Sequence, residues 1–594
     1  PRRRGVVAAA GGEEEREGAQ GDDAGGGAGG SRGPVRCAPV TDAPLLAGIR
    51  DALAQEAAGA LGSEPPAVPL APPAQPEMGD VASPMAMALA RSARRPPREI
   101  AEAVAAGLRG RPGAREWLER VEVAGPGFLN LTLAPGWFAE AARAVAAAGS
   151  RHGAGGAAAP EDVLIEFVSA NPTGPPHVGH ARHAAYGDSL ARILEFAGHR
   201  VTREFYVNDA GRQMRAFGAS VAARYAELCG RPAAVPEDGY HGDYVREVAA
   251  RVREEIGDGR ADAASAGDPE AVAFFAARGE AIMLEAIRAE LERFRTRFDA
   301  FVSERRLHES GRVAEGVAAL EAAGDAYRAD GAVWFRTSAY GDEKDRVLVR
   351  GDGETTYLAA DVAYHLDKAA RGHDRLIDVL GADHHGYVAR LRAVLAAGGH
   401  DPGLLEVPIV QLVSLVEKGE AKRMSKRAGT LVTLRELVDD IGVDAARFFL
   451  VQRSHETPLD LDLDLAREQS QENPVYYVQY AHARVRSILA QAGDPRPAPG
   501  TPPPERLDPS ERALVLRLAG WPEAVGEAEE RRSQQRIVAY LIELARDFDA
   551  FYHRCRVVDE EPRLREFRLD CCRATGATVR TGLGLLGVEA PDRM

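Results

Sequence analysis

Lysine is nearly missing from this chain. Of 74 basic residues among 594, five are lysine (Lys344, Lys368, Lys418, Lys422 and Lys426), which leaves 69 arginines. With 62 Gly, 37 Pro and much Ala, the plain reading is arginine used wherever either cation will do. Three of the five lysines nevertheless fall within nine residues, 418–426. A random scatter would seldom do that, so the segment is a candidate for a need that a guanidinium does not meet. Cysteine is also sparse: Cys37, Cys229, Cys555, Cys571 and Cys572 show no CxxC spacing and no disulfide density, as expected in a reducing cytosol. No run of about 18 apolar residues is present, which rules out a membrane-spanning helix. Nor is there an apolar h-region with a small-residue cleavage site, so the expected compartment is the cytoplasm. The net charge of −15 excludes a protein basic overall, but a local basic face suffices for nucleic acid. At 27% charged residues the chain is neither membrane-bound nor globally disordered.

A chain of this length should hold three to five structural units, at roughly 100–200 residues each. Residues 1–40 are of low complexity, with almost nothing to bury, and are expected to be disordered. A small folded unit runs from about 44 to 148. Within it, helical spacing breaks at Pro96-Pro97, and VEVAGPGFLNLTL reads as two strands about a Gly-Pro-Gly turn, with Leu129, Leu131 and Leu133 alternating. A Gly/Ala linker at 150–162 is the best domain boundary. Next come a strand (163–169), a turn-rich loop, NPTGPP (171–176), a helix from about His177 to Ala197 stopped by Gly198, and a second strand (201–207). This is the β-loop-α-β unit of a parallel sheet. Residues 212–330 read as a largely helical insertion. Strand-helix alternation then returns within a unit spanning 160–465, and 470–594 is helical apart from a Pro-rich loop at 494–510.

Two segments carry chemistry. In NPTGPPHVGH, His177 and His180 lie three residues apart at a helix N-terminus, on one face. Gly179 removes a side chain where a planar ligand could approach the backbone. The free N–H groups and the helix dipole favour phosphate, and two imidazole donors suit charge developing on an α-phosphate. A pair of half-buried capping histidines is the alternative. A metal reading, with His183 extending the spacing and His384-His385 downstream, lacks Cys or carboxylate ligands at zinc spacing. The second segment, KGEAKRMSKRAGTLVTL, is a basic loop after an apolar strand. A compact ammonium on a flexible stem can follow a moving triphosphate, and a mobile loop can close for chemistry and open for release.

HVGH after a first strand, with RMSKR about 240 residues later, resembles the HIGH and KMSKS pair of class I aminoacyl-tRNA synthetases. IEFVSANPTGPPHVGHARHAAYGDSL, FYVNDAG, YLAADVAYH, GADHHGY and ENPVYYVQYAHAR are similar to arginyl-tRNA synthetases, over about residues 44–594. The resemblance implies an α/β fold: a class I Rossmann-like parallel-sheet catalytic core, a small α+β N-terminal domain that contacts tRNA, and an all-α C-terminal anticodon-binding domain. It implies arginine–tRNA ligation with ATP as substrate, Mg2+ accompanying it, tRNA(Arg) as partner and a monomeric enzyme. It further implies that His177, Gly179 and His180 hold ATP and stabilise the transition state, and that Lys426 contacts the phosphates. Arg423, Met424 and Ser425 join Lys426 in that loop. Two positions depart from the motif, whose first lysine is Arg423 here and whose final serine is Arg427; Arg423 keeps the charge, and Lys422 beside it is a second candidate.

A guanidinium offers five donors and no acceptor, so carboxylates suit it. By resemblance, Glu166 and Asn171 hold the amino-acid end of arginine, while Tyr357 and Asp361, at i and i+4, hold the guanidinium. His384 or His385 lies at the sheet edge where open α/β sheets bind ligands, with His384 the candidate for substrate binding. Asn208, Asp209 and Gln213 support the pocket or the tRNA end, or pack. Tyr476, Tyr477 and Tyr480 interleave with Arg484 and Arg486, as in modules that stack single-stranded bases; Tyr477, Tyr480 and Arg484 are the candidates for tRNA, against a reading as core and solvated face. The rivals are another class I synthetase, for example for cysteine or glutamate, and a catalytically dead tRNA-binding paralogue. If tRNA phosphates are contacted despite the net negative charge, affinity for tRNA falls by about a factor of 10³ or more between about 50 and 200 mM salt. A flat salt titration refutes phosphate contact.

Overall fold

The computed structural model describes residues 45–62, 68–422, 432–493 and 502–594. The low-complexity stretch 1–40 and the loop residues Arg423, Met424, Ser425, Lys426 and Arg427 lie outside the described residues.

The centre is a five-stranded sheet: β1 (Asp162–Glu166), β2 (Arg200–Val207), β3 (Ala300–Ser303), β4 (Arg375–Asp378) and β5 (Leu405–Glu406), in the order β5-β4-β1-β2-β3. Every pairing is parallel. The chain enters in the middle, steps outward through β2 and β3, then crosses to build β4 and β5 on the other side of β1. This reversal is the topological switch point at which open α/β sheets bind ligands. Val163, Leu164 and Ile165 of β1 have no exposed surface, as a strand covered on both faces requires.

Helix α1 (Val178–Ala197) links β1 to β2, with His177 as its N-cap. Leu190, Ile193, Leu194 and Ala197 form the buried face that the spacing predicts. Gly198, at φ 111°, ends the helix in the left-handed region. Gly187 lets the helix press onto the sheet, because a Cβ there would lie 2.3 Å from the ring of Phe167. The first strand ends at Glu166 rather than continuing to residue 169, since Val168 and Ser169 turn into positive φ.

The helical insertion is shorter than expected. Helices Gly211–Leu228, Asp243–Ile256, Ala261–Ser265 and Pro269–Arg293 gather around Phe217, Tyr225 and Phe275. The chain then returns to the sheet as β3 at residue 300, well before 330. Residues 326–349 form an antiparallel three-stranded sheet. The four residues of β3, AFVS, are too few for periodicity to reveal them. Helix α2 (Tyr357–Ala370) precedes β4, and α3 (Leu434–Val451) follows the basic loop.

Before β1, an antiparallel sheet of Val81–Ser83, Leu118–Ala124 and Phe128–Leu133 packs with helices, and Leu129, Leu131 and Leu133 point into its core. After α3, the long elements Pro474–Gln491, Pro509–Ala519, Trp521–Glu530, Gln535–Arg554 and Pro562–Leu585 are all helices. Among the described residues no helix is long and apolar enough to cross a membrane.

One buried cation ties these parts together. Arg447 of α3, with no exposed surface, donates to Asp188 Oδ2 of α1 (2.6 Å), to the Phe294 carbonyl (2.8 Å) before β3 and to the Leu586 carbonyl (2.7 Å) at the C-terminal helix. Removing one partner of such a pair strands the other charge and typically costs about 3–5 kcal/mol. Arg447→Met is therefore expected to lower the thermal inactivation midpoint by several degrees. An unchanged midpoint by calorimetry and activity refutes the clamp.

Candidate active site

The two histidines form a cap. His177 Nδ1 accepts from Gly179 N (3.1 Å), and His180 Nδ1 accepts from His177 N (3.3 Å), a reciprocal capping box. Their rings stack with centroids 3.8 Å apart and 19° between planes. Because each Nδ1 accepts a backbone N–H, the proton of each neutral ring sits on Nε2. The cap and the phosphate readings are thus compatible: one nitrogen holds the helix start, and the other is a donor at the positive end of the helix dipole.

The residues that leave the basic loop join this helix start directly. Val178 N donates to Val432 O (3.1 Å), and Leu434 N donates to Pro176 O (2.8 Å). The residues entering the loop are pinned too: Lys422 N donates to Leu415 O (2.8 Å). Arg182, two residues past His180 and buried, donates to the carbonyls of Gln411, Leu412, Ser454 and Thr457 at 2.7–3.3 Å. Residues Val432 and Leu434, which follow the loop, are therefore held at the start of the histidine helix.

Beside them lies a row of carboxylates. Asp378 of β4, Glu166 of β1 and Glu204 of β2 are in register across three adjacent strands. Helix α2 covers them with a polar stripe. Lys368, with no exposed surface, donates to Glu166 and to Asp378 (2.7 Å); His365 Nε2 meets Asp378 (2.8 Å); Arg371 pairs with Glu204. The Tyr364 hydroxyl sits between Glu166 (2.9 Å) and Glu204 (2.7 Å). Burial alone would raise Asp378, but Lys368 and His365 outweigh it and hold it well below the usual carboxylate range. Burial would lower Lys368 and His365, yet the carboxylates raise both. Glu166 is also fixed by Ser169 Oγ (2.7 Å), which the left-handed turn at Val168 and Ser169 (φ 70° and 40°) brings back to it. Such a conformation at a β-branched valine costs about 1–3 kcal/mol and clusters at functional sites.

Asp361, one turn before Tyr364 and His365 on α2, accepts from the Tyr387 hydroxyl. Burial raises its pKa, and Glu166 adds to the rise. Glu304, the residue after β3, is buried, and its Oε2 has no hydrogen-bond partner. Desolvation, followed by repulsion from Asp361 and Asp209, pushes Glu304 up to about 7. Asn208 Oδ1 is likewise buried without a partner. Asn208 and Glu304 follow the in-register residues Val207 and Ser303, so both orphan acceptors lie at the C-terminal ends of adjacent strands.

The other expected residues divide. Asn171 Nδ2 donates to the Asn208 carbonyl (3.2 Å). Tyr357 starts α2 and is 58% exposed; the hydroxyl that reaches Asp361 is Tyr387, not Tyr357. His384 and His385 are exposed in a 3-10 turn, and only His384 has a ring contact with Tyr387, at 6.2 Å. Asp209 is structural, accepting from Ser303 Oγ (2.6 Å) and Arg305 N (2.8 Å), whereas Gln213 is exposed. His183 is pushed down to about 4 by burial and by Arg182; among the described residues no group of three or more His, Cys, Asp or Glu is arranged to hold a metal. In the C-terminal helices Tyr477 packs against the core, while Arg484 lies over the rings of Tyr480 (4.6 Å) and Tyr552 (4.2 Å) and pairs with Asp549 (2.8 Å).

Comparison with known proteins now bears on this geometry. A family model described as tRNA synthetases class I (R), catalytic domain, matches residues 147–460. Arginyl tRNA synthetase N terminal domain matches 46–133, and DALR anticodon binding domain matches 478–594. The arginine–tRNA ligase of Shouchella clausii is 46% identical over 539 residues, 90% of this chain and 95% of that protein. The chain belongs to the arginyl-tRNA synthetase family. The Moorella thermoacetica arginine–tRNA ligase is also 46% identical, over 93% of this chain and 98% of its own length. The solved arginyl-tRNA synthetase of Thermus thermophilus superposes with a TM-score of 0.71 at 26% identity, covering 92% of this chain and all of that one.

Within this synthetase fold, sequence reasoning missed Glu304, Tyr387 and the α2 stripe. Two signals were available for the stripe: Lys368 is one of only five lysines, and Asp361, Tyr364, His365 and Lys368 recur at helical spacing. No comparable signal marks Glu304, because only register brings it to Asn208. Its titration is testable. Its folded pKa, about 7, lies above its ordinary 4.5, so the folded state holds the extra proton between these values. The stabilising contribution is full below pH 4.5 and is lost as pH rises through about 7. Glu304→Gln should thus gain stability relative to the parent at pH 8 and not at pH 5. Equal melting-point differences at both pH values refute the assignment.

Proposed function

We infer that this chain activates L-arginine with ATP, giving arginyl-adenylate and pyrophosphate, and then transfers the arginyl group to the 3′ end of tRNA(Arg). One observation carries the amino-acid choice. At the C-terminal ends of β2 and β3 stand two buried acceptors, Asn208 Oδ1 and Glu304 Oε2, that lack any donor, and Glu304 feels the charge of Asp361. A guanidinium is all donors and no acceptor, so it satisfies these atoms at once, where an apolar or acidic side chain leaves them stranded.

In this reading Asp361 and Glu304 receive the guanidinium, with Tyr387 orienting Asp361; Tyr357 and His384 close the mouth from the exposed side. Glu166 and Asn171 hold the amino-acid end. His177, Gly179 and His180 take the phosphates of ATP, the Nε2 protons serving the charge that develops at the α-phosphorus. Lys426, with Arg423, Met424 and Ser425, acts from the loop anchored at Lys422 and Val432. Catalysis is positioning and charge stabilisation, since the arginine carboxylate is itself the nucleophile. Mg2+ enters with ATP as part of the substrate, on phosphate oxygens and water. Tyr477, Tyr480 and Arg484 serve the tRNA, and the enzyme acts as a cytoplasmic monomer. Of the rival readings, a cysteine enzyme has no use for the acidic pocket, and a dead paralogue has no need of the paired histidine cap.

ATP–pyrophosphate exchange, measured for each amino acid with and without tRNA, is the test. Arginine alone should drive exchange; exchange driven by another amino acid, or none with cognate tRNA present, refutes the reading. Asp361→Asn should raise the KM for arginine by about tenfold or more, roughly 1.4 kcal/mol, and leave that for ATP nearly unchanged; equal rises refute the guanidinium role.

A further inference from the structure

A lysine with no exposed surface pairs with carboxylates on two of the central strands. We propose that Lys368 is a positioning residue that holds the Glu166 carboxylate as the receptor for the α-ammonium of arginine; the inference rests on the reading of Glu166 given above. Lys368 has no exposed surface, and its ammonium is shared between Glu166 and Asp378, which are in-register partners on β1 and β4. Its remaining face lies 4.3 Å from the centre of the Tyr364 ring. It touches no solvent, so it cannot serve as a surface ion pair or a tRNA contact.

Geometry explains why a lysine stands here in a chain with 69 arginines. A tetrahedral ammonium can point separate N–H bonds at carboxylates on two neighbouring strands and still fit under an aromatic ring. A planar guanidinium prefers two donors in one plane to one carboxylate. Lys368 also follows Asp361 by seven residues on α2, two helical turns, about 10.5 Å of rise. Asp361 faces the guanidinium end, and Lys368 governs the α-ammonium end through Glu166. A single helix thereby sets the spacing between the two charged ends of the substrate. Without the ammonium, Glu166 keeps only Ser169 and Tyr364 and faces Asp378 and Glu204 uncompensated. It then turns away and receives a cation poorly.

A merely structural lysine would affect stability alone, so the test reads ligand discrimination in the full chain. The preference for L-arginine over 5-guanidinopentanoic acid, which lacks the α-amino group, is measured by calorimetric binding. Lys368→Met should reduce that preference about tenfold, as should Glu166→Gln, and the double variant should be no worse than the more affected single one, because both act on one contact. The KM for ATP should change less than twofold. Should Lys368→Met not fold, Lys368→Met with Asp378→Asn removes the buried pair together and limits the folding cost, and the same tenfold loss is expected. A folded variant of either kind that keeps the parent's preference overturns the role of Lys368 while leaving that of Glu166 intact. A parent chain with no preference, or a Glu166→Gln variant that keeps it, overturns the Glu166 assignment and this inference with it.

Discussion

Three carboxylates in register on adjacent central strands repel one another strongly in a low-dielectric interior, and the sheet can bring Asp378, Glu166 and Glu204 together only with cations built in beside them. Helix α2 supplies these as a stripe: His365 to Asp378, Lys368 to Asp378 and Glu166, Arg371 to Glu204, with the Tyr364 hydroxyl between the last two carboxylates. As carboxylates the row carries three negative charges, and two permanent cations plus a histidine raised by Asp378 answer them. The helix cannot slide or rotate on the sheet without breaking several of these contacts at once. Asp361 rides on the same helix, so the charge network that fixes β1 against β4 also fixes the pocket that α2 borders.

The start of α1 uses a different device. There the backbone does the joining. Pro176, Val178, Val432 and Leu434 exchange N–H···O bonds, while Arg182 collects four carbonyls from the segments on either side of the basic loop and α3. Such bonds depend on backbone position rather than side-chain identity. They hold the residues that flank the loop, at Lys422 and at Val432, in fixed places.

The motif histidines were legible because the requirement is local: a turn-rich loop, two imidazoles three apart and a glycine between them mark a helix start without reference to the rest of the chain. The alternating leucines at 129, 131 and 133 and the buried face of α1 were legible for the same reason. The strand β3 was hidden, since four residues give no periodicity. The hydroxyl that reaches Asp361 comes from Tyr387 in another element, which no spacing within α2 could show. Of the lysines, the three clustered near 420 stand out in the sequence, while the fully buried Lys368 is alone in a helix, where nothing local marks its burial.

By itself the sequence determined the kind of machinery: a parallel α/β core with a histidine-capped helix start, a basic loop some 240 residues later and a helical C-terminal region. Each of these depends on neighbours in the chain, whose periodicity, capping and turn chemistry are written in short windows. Only the tertiary structure decided which acids stand side by side, that Glu304 Oε2 and Asn208 Oδ1 are left without donors, and that Lys368 pairs with Glu166. Those facts depend on strand register and on which face of α2 meets the sheet, and register is set by long-range packing that no short window contains.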